Sequence, residues 1–170
     1  MLEINRFVSQ IGQTGFASPN KYLVEFNSPL TGNDDTISIM CNVAGMPERG
    51  IQVFENRHYN TPFKLPYVTM YQEATFTFFS TPKYPERKFF DAWQNEVIHP
   101  ENGLVGFYDT FRGDIVVSHL EGETGSVDYK IKLMDAYPTS IGSIELGYSM
   151  TDSLSPVSIS FVYKYWIEDK

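Results

Sequence analysis

Val157-Ser158-Ile159-Ser160-Phe161-Val162-Tyr163-Lys164-Tyr165-Trp166 is the most regular stretch of the chain. Apolar side chains fall on Val157, Ile159, Phe161, Tyr163 and Tyr165, with Ser158, Ser160 and Lys164 between them. Alternation of period two over this length predicts a β-strand with one face in a core and one in water. The same period recurs upstream. Tyr129, Ile131 and Leu133 alternate with Lys130 and Lys132, and Ile144, Leu146 and Tyr148 alternate with Glu145 and Gly147. Residues 115–120 form an apolar run closed by a hairpin-like loop at 121–125. Near the N-terminus, Tyr22, Val24 and Phe26 alternate with Leu23 and Glu25, and Ile37, Ile39 and Cys41 with Ser38 and Met40. Gly45-Met46-Pro47 ends that second run. Residues 75–79 are rich in β-formers, and 105–109 read as one more strand.

One segment changes period. Pro85 suits the first turn of a helix, where its missing N–H costs nothing, and Glu86 suits the positive end of the helix dipole. Phe89, Phe90, Trp93 and Val97 then make one apolar stripe, with Arg87, Lys88, Asp91, Gln94 and Asn95 on the other face. His99-Pro100 and Gly103 stop the pattern, so a helix is expected over 84–98. Residues 50–71 break the alternation and contain Pro62 and Pro66, which reads as an irregular, partly extended excursion. Residues 1–18 read as an N-terminal arm or short helix. The sum is a mainly β chain, an antiparallel β-sandwich or barrel of about seven to eight strands with one packed α-helix. A single domain over residues 1–170 fits its length.

Composition excludes several classes. Thirteen Lys and Arg against 21 Asp and Glu give a net charge of −8. A phosphate-binding surface needs the opposite balance, and so does docking on an anionic membrane. The single Cys41 excludes an internal disulfide framework and a multi-cysteine zinc site. Residues 1–6 lack the apolar run of a signal peptide, and no apolar stretch is long enough to span a bilayer. The expectation is a soluble, acidic protein of a reducing compartment. Its aromatics, 15% of the chain, would need basic neighbours to stack single-stranded nucleic acid.

Catalytic constellations are equally scarce. His58, His99 and His119 stand alone, without metal-ligand spacing. Cys41 has no basic group beside it to stabilise a thiolate and reads as a core residue. There is no Gly-x-Ser-x-Gly elbow, and Gly12-Gln13-Thr14-Gly15 lacks the lysine of a phosphate loop. Asp34, Asp35, Glu121 and Glu123 read as solvated turn carboxylates. No catalytic, cofactor-binding or metal-binding residue is expected, and no cofactor. A hydrolase with a dispersed carboxylate pair and a monomeric ligand-binding β-sandwich with exposed aromatics are the alternatives of other classes.

The stretch Tyr137-Pro138-Thr139-Ser140-Ile141-Gly142-Ser143-Ile144-Glu145-Leu146-Gly147-Tyr148, followed by the final alternating run ending in Tyr165-Trp166, resembles the C-terminal half of the tail tube protein of contractile-tailed bacteriophages. There an aromatic-Pro-Thr turn leads to a Gly, an alternating strand, a polar turn and a last strand ending in Tyr-Trp. Residues 19–26 resemble the first core strand of that family, 41–47 its second strand and turn, and 88–94, with Trp93, its single helix. The structural residues carried by the resemblance are Trp93, Tyr137, Pro138, Gly142, Tyr148, Tyr165 and Trp166.

The resemblance implies a tail-tube-like fold and a structural virion protein that is not an enzyme. It is related to the inner tubes of type VI secretion and contractile injection systems. Six copies would form a ring, and stacked rings a channel for DNA ejection. Expected partners are other copies of the chain, a tail sheath protein, baseplate tube proteins, a tape measure protein in the lumen, and DNA passing without specific binding. No membrane partner is expected. The implied place is the phage tail of a virion, assembled in the host cytoplasm. A baseplate tube-initiator or a tail-terminator ring protein is the alternative within the class. Residues 50–71, with Phe54, Tyr59, Phe63 and Tyr67, would be an inter-subunit arm, because long excursions from compact domains are usually functional.

Overall fold

A computed structural model of the chain describes residues 4, 6, 8, 17–30, 32–33, 35–57, 62–121, 125–148 and 154–169. In chain order the elements are strand β1 (Tyr22–Ser28), β2 (Gly32–Asn33), helix α1 (Asp35–Ile39), β3 (Cys41–Ala44), β4 (Arg49–Asn56), β5 (Phe63–Tyr71) and β6 (Ala74–Phe79). Then come α2 (Pro85–Val97), α3 (Tyr108–Phe111), β7 (Gly113–Leu120), β8 (Val127–Ile141), β9 (Pro156–Val162) and β10 (Tyr165–Glu168). Eight strands form one antiparallel sheet in the order β2-β1-β7-β8-β9-β6-β3, with β10 also on β8. The remaining two, β4 and β5, pair only with each other.

The sheet folds into two layers because β8 belongs to both. Its first part pairs with β7 and β10, and its second part with β9. The changeover is at Asp135, whose φ of 55° is left-handed and which is skipped in the β7 register between Leu133 and Ala136. An extra residue of this kind bends a strand and switches the parity of its side chains. Ile131 and Leu133 point inward before the bulge, and Ala136 after it. Arg112 holds the corner: it bonds Asp135 at 2.9 Å and Asp109 at 3.0 Å.

Between the layers lies an aromatic core. Phe26 of β1 stands edge-on to Phe76 of β6, with ring centroids 5.4 Å apart, and also meets Phe78 and Phe161. Helix α2 adds Phe90 and Trp93, both fully buried, to the same cluster. The Trp93 indole N–H donates to the Phe111 carbonyl at 2.6 Å. Gly113 leaves the room for that ring, since a Cβ there would sit 2.7 Å from it. Glu86, in the first turn of α2 as its place at the positive end of the dipole requires, is only 1% exposed. Its carboxylate accepts from the Thr81 hydroxyl at 2.7 Å and the Thr81 amide at 3.2 Å. That bond closes the turn before a helix whose N-cap residue, Tyr84, offers no side-chain cap.

Several expectations are corrected. The run Ile37-Ile39-Cys41 is not one strand. Asp35–Ile39 is a helical turn packed by Ile37, and the strand starts at Cys41. Residues 105–109 are not a strand: Val105 makes a single bridge to Ile98, and 108–111 are helical. Tyr137-Pro138-Thr139 is not a turn but lies within β8, with the register irregular between Pro138 and Ser140. Proline lacks a ladder donor, which accounts for the break. Ile144, Leu146 and Tyr148 do not form a strand. The last alternating run is interrupted at 163–164, where the chain leaves β9 and crosses to β8 as β10. Residues 50–71 are more regular than expected, as described next. The expected helix is α2, and the short helical segments α1 and α3 and the helical residues 4, 6 and 8 accompany it.

Candidate functional site

The candidate site is the hairpin β4–β5. Eight residues of β4 pair antiparallel with β5, from Arg49 opposite Tyr71 to Asn56 opposite Phe63. The register shifts between Gln52 and Val53, where Pro66 and Tyr67 are accommodated. A bulge is one of the few places a proline fits in a ladder, so the excursion foreseen from Pro66 is a bulged hairpin. The pairing puts Phe54, Phe63, Leu65, Val68 and Met70 on one face. The other face carries Arg49, Ile51, Val53 and Glu55 with Lys64, Pro66, Thr69 and Tyr71. Most of these apolar side chains are exposed, and Tyr67 is 75% exposed. Tyr59 and His58 lie outside the described residues. An isolated two-stranded hairpin is marginal in water, and a contiguous apolar face of this kind marks an interaction surface.

The root of the hairpin touches the sandwich. The Arg49 guanidinium lies 4.9 Å from the Trp166 ring. The Tyr71 ring stands edge-on to Tyr163 at 6.0 Å. Burial, chiefly, and the neighbouring Tyr71 and Glu48 push the Tyr163 hydroxyl up to about 12.

The outward face of the β1-β7-β8 layer is the second candidate surface. Register places Leu23 beside Ser118 and Lys130, and Glu25 beside Val116 and Lys132. Both lysines are neutralised there: Lys130 bonds Asp169 and Lys132 bonds Asp114, each at 2.8 Å. Lys130 holds the Asp169 carboxyl below its usual value.

The residues carried by the resemblance are dispersed. Trp93 is central to the core, and Tyr137 packs edge-on against Phe111 at 5.3 Å. Pro138 is buried in β8. The Gly142 amide donates to the Ser158 carbonyl at 2.7 Å, so close that a Cβ at 142 would meet that oxygen at 2.9 Å. Tyr165 and Trp166 open β10, and Tyr148 is fully exposed.

Nothing among the described residues assembles a catalytic centre. His119 bonds the Ser18 carbonyl at 3.0 Å and stands 3.7 Å from Asp128. The Cys41 thiol is pushed up to about 12 by burial, the opposite of an activated nucleophile. No group of three or more His, Cys, Asp or Glu among the described residues could hold a metal ion. No described helix is long and apolar enough to cross a membrane.

The sequence profile of the phage tail tube protein family matches residues 8–169. The chain belongs to the phage tail tube protein family. Among curated proteins none matches the chain. Solved structures share this fold, among them three chains of contractile particles. A chain of the anti-feeding prophage baseplate has a TM-score of 0.72 at 12% identity, covering 92% of this chain and 97% of that one. A chain of the PVC extracellular contractile injection system, from its extended sheath-tube complex, has a TM-score of 0.66 at 14% identity, covering 95% and 96%. A chain of the anti-feeding prophage tube-terminating cap has a TM-score of 0.68 at 14% identity, covering 91% of each. At these identities the likeness is one of fold. The tail tube family and these neighbours are structural components of tails and tail-like particles.

Sequence reasoning singled out residues 50–71 by their length and prolines but read them as an irregular excursion, and so missed the hairpin and its two faces. The alternation of Phe54 against Val53 and Glu55 was a usable signal, masked by the bulge at Pro66. It missed Asp135 and Glu86, because no local pattern marks a bulge or a buried cap.

Proposed function

We propose that this protein is the repeated subunit of the inner tube of a contractile tail, forming stacked six-membered rings around a channel for DNA. The observation that carries this is the hairpin β4–β5: a regular ladder with an exposed apolar face, paired with no other described strand. A folded chain keeps such a feature when a second copy covers it. The free edge of β10 and the side of β1 beyond the short β2 offer strands that neighbouring subunits would join, closing the sheet edges. Phe54, Phe63 and Tyr67 are the contact residues of the arm.

The acidic balance suits a conduit. Six copies at −8 carry about −48, and a summed negative field repels passing phosphates. The pairing of Lys130 with Asp169 and Lys132 with Asp114 removes two cations from the surface that a polyanion would meet. A sheath outside, baseplate tube proteins at one end and a tape measure protein in the lumen complete the partner set. Assembly takes place in the host cytoplasm.

Negative-stain microscopy of the purified chain at rising concentration tests this reading. Six-fold rings that stack into tubes are expected. A chain that stays monomeric at high concentration, even when seeded with tube fragments, overturns it. The likeness to a baseplate chain and to a terminating-cap chain supports a second reading, an initiator or terminator ring. That reading predicts single rings that bind tube ends and never elongate.

A further inference from the structure

The hairpin is basic in an acidic chain. Residues 49–71 hold Arg49, Arg57 and Lys64 against Glu55 alone, a net +2, whereas the whole chain is −8, so the rest of it carries −10. At the outer end, Arg57 bonds Glu55 at 3.2 Å, and Lys64 stands opposite Glu55 in the ladder. One carboxylate there serves two cations. Phe54 and Phe63 are exposed at the same end. A surface that receives it needs apolar side chains and carboxylates together.

The loop between α2 and α3 has both. Ile98 bridges Val105, the His99 amide donates to the Leu104 carbonyl at 3.0 Å, and the Gly103 amide donates to the His99 carbonyl at 2.9 Å. Gly103 turns the loop with a left-handed φ of 66°. Gly106 donates to the Val97 carbonyl at 3.0 Å and packs so closely on the Glu96 carbonyl that no Cβ fits. Backbone bonds hold this loop, and its side chains face out. Ile98, Leu104, Val105, Phe107 and Tyr108 are all exposed, Phe107 to 84%. Residues 89–111 contain no Lys or Arg but four carboxylates, Asp91, Glu96, Glu101 and Asp109. Arg87 and Arg112 answer Asp91 and Asp109. Glu96 and Glu101 make no ion pair among the described residues.

We infer that residues 98–108, rimmed by Glu96 and Glu101, are the socket for the outer end of the hairpin of a second copy. Apolar side chains meet apolar ones, and Arg57 and Lys64 meet Glu96 and Glu101. The inference rests on the assembly reading above and adds to it the surface that receives the arm. Neither patch covers the other within one chain, since both are exposed. They are different surfaces, so the contact is heterologous: each copy gives an arm and receives one, which closes a ring or continues a stack. The charges at the rim set its register and reject a misplaced arm.

Charge reversal with rescue tests it, read as the lowest concentration at which the chain sediments as tubes. Glu96→Lys with Glu101→Lys should raise that concentration at least about tenfold, and so should Arg57→Glu with Lys64→Glu. All four together should return it to within about threefold of the parent. Glu101→Lys with and without Lys64→Glu serves if the larger sets fail to fold by urea unfolding. Cross-linking is the second arm. In a Cys41→Ala background, or Cys41→Ser should that fail to fold, chains bearing Phe63→Cys are mixed with chains bearing Phe107→Cys. A short bis-maleimide should join one kind to the other and neither to itself. Parent tubes with no such link, or with reversals that are not rescued, sink the socket and leave the assembly reading standing. The link without tubes keeps the socket and overturns the tube-subunit reading. Neither tubes nor link overturns both.

Discussion

Trp93→Ala is the sharpest test of how this fold is held. The indole is fully buried and sits edge-on to Phe89 at 6.1 Å and Phe161 at 5.9 Å, tying α2 to β9. Truncating a buried aromatic costs about 3–5 kcal/mol, combining lost transfer energy with the cavity left behind. The Phe111 carbonyl also loses the donor it holds at 2.6 Å, and an orphaned buried acceptor costs about 1–3 kcal/mol more. The combined loss, about 4–8 kcal/mol, rivals the whole stability of a domain, about 5–15 kcal/mol. Trp93→Phe separates the two parts. It keeps a ring against Phe161 but cannot donate, and should cost about 2–4 kcal/mol. Urea unfolding followed by circular dichroism measures both, since Trp166 remains as a second fluorescent probe. A loss under about 1 kcal/mol for Trp93→Ala would refute the claim that the helix stripe completes the core. Equal losses for the two variants would refute the packing part and leave the hydrogen bond to explain everything.

Replacing residues 50–71 with a short Gly/Ser linker should leave a cooperatively folded monomer that no longer assembles. Loss of cooperative unfolding would place the hairpin in the core instead. Gly142→Ala should destabilise the chain by about 1–3 kcal/mol, because its Cβ meets backbone that cannot swing aside; an unchanged urea midpoint would show that the Gly142–Ser158 contact relaxes easily. Tyr163 and Cys41 both have hydroxyl or thiol values of about 12 when folded, above the ordinary 10.0 and 9.0. Folding therefore favours their protonated forms, and the stability they confer is full below about pH 9 and falls as pH rises towards 12. Tyr163→Phe and Cys41→Ala should each flatten the alkaline limb of a stability–pH curve; a limb unchanged in both would contradict their burial.

Much of the sandwich was legible because its strands are half-buried and so alternate. Val157, Ile159 and Phe161 point inward as their period requires, and so do Val24 and Phe26. The α2 stripe was legible for the matching reason, a period of 3.6 that places Phe90 and Trp93 together. Failures cluster where the local pattern is short or tertiary. Ile37 and Ile39 alternate over too few residues to tell a strand from one helical turn, and Ile39 ends exposed. Ile144, Leu146 and Tyr148 alternate in sequence but lie outside every described strand. Pro66 and Pro138 both suggested interruptions, yet the ladders absorb them with register shifts. The candidate site was half legible: length and prolines marked the hairpin, while its root, built by Trp166 and Tyr163 from the far end of the chain, left no local trace.

The position of β9 has a consequence for how the chain is made. This strand is the ninth of the ten described in chain order, yet it lies between β6 and β8 and not at a rim. Likewise β1 waits for β7, with Tyr22 opposite His119. Such distant pairings slow folding, since each closes a long loop before any contact rewards it. A nascent chain ending before Pro156 has both layers open, with Phe26 and Phe76 uncovered on the side Phe161 would fill. The sandwich therefore closes only once β9 is in place, and a chain cut before Pro156 should yield aggregate instead of a smaller domain.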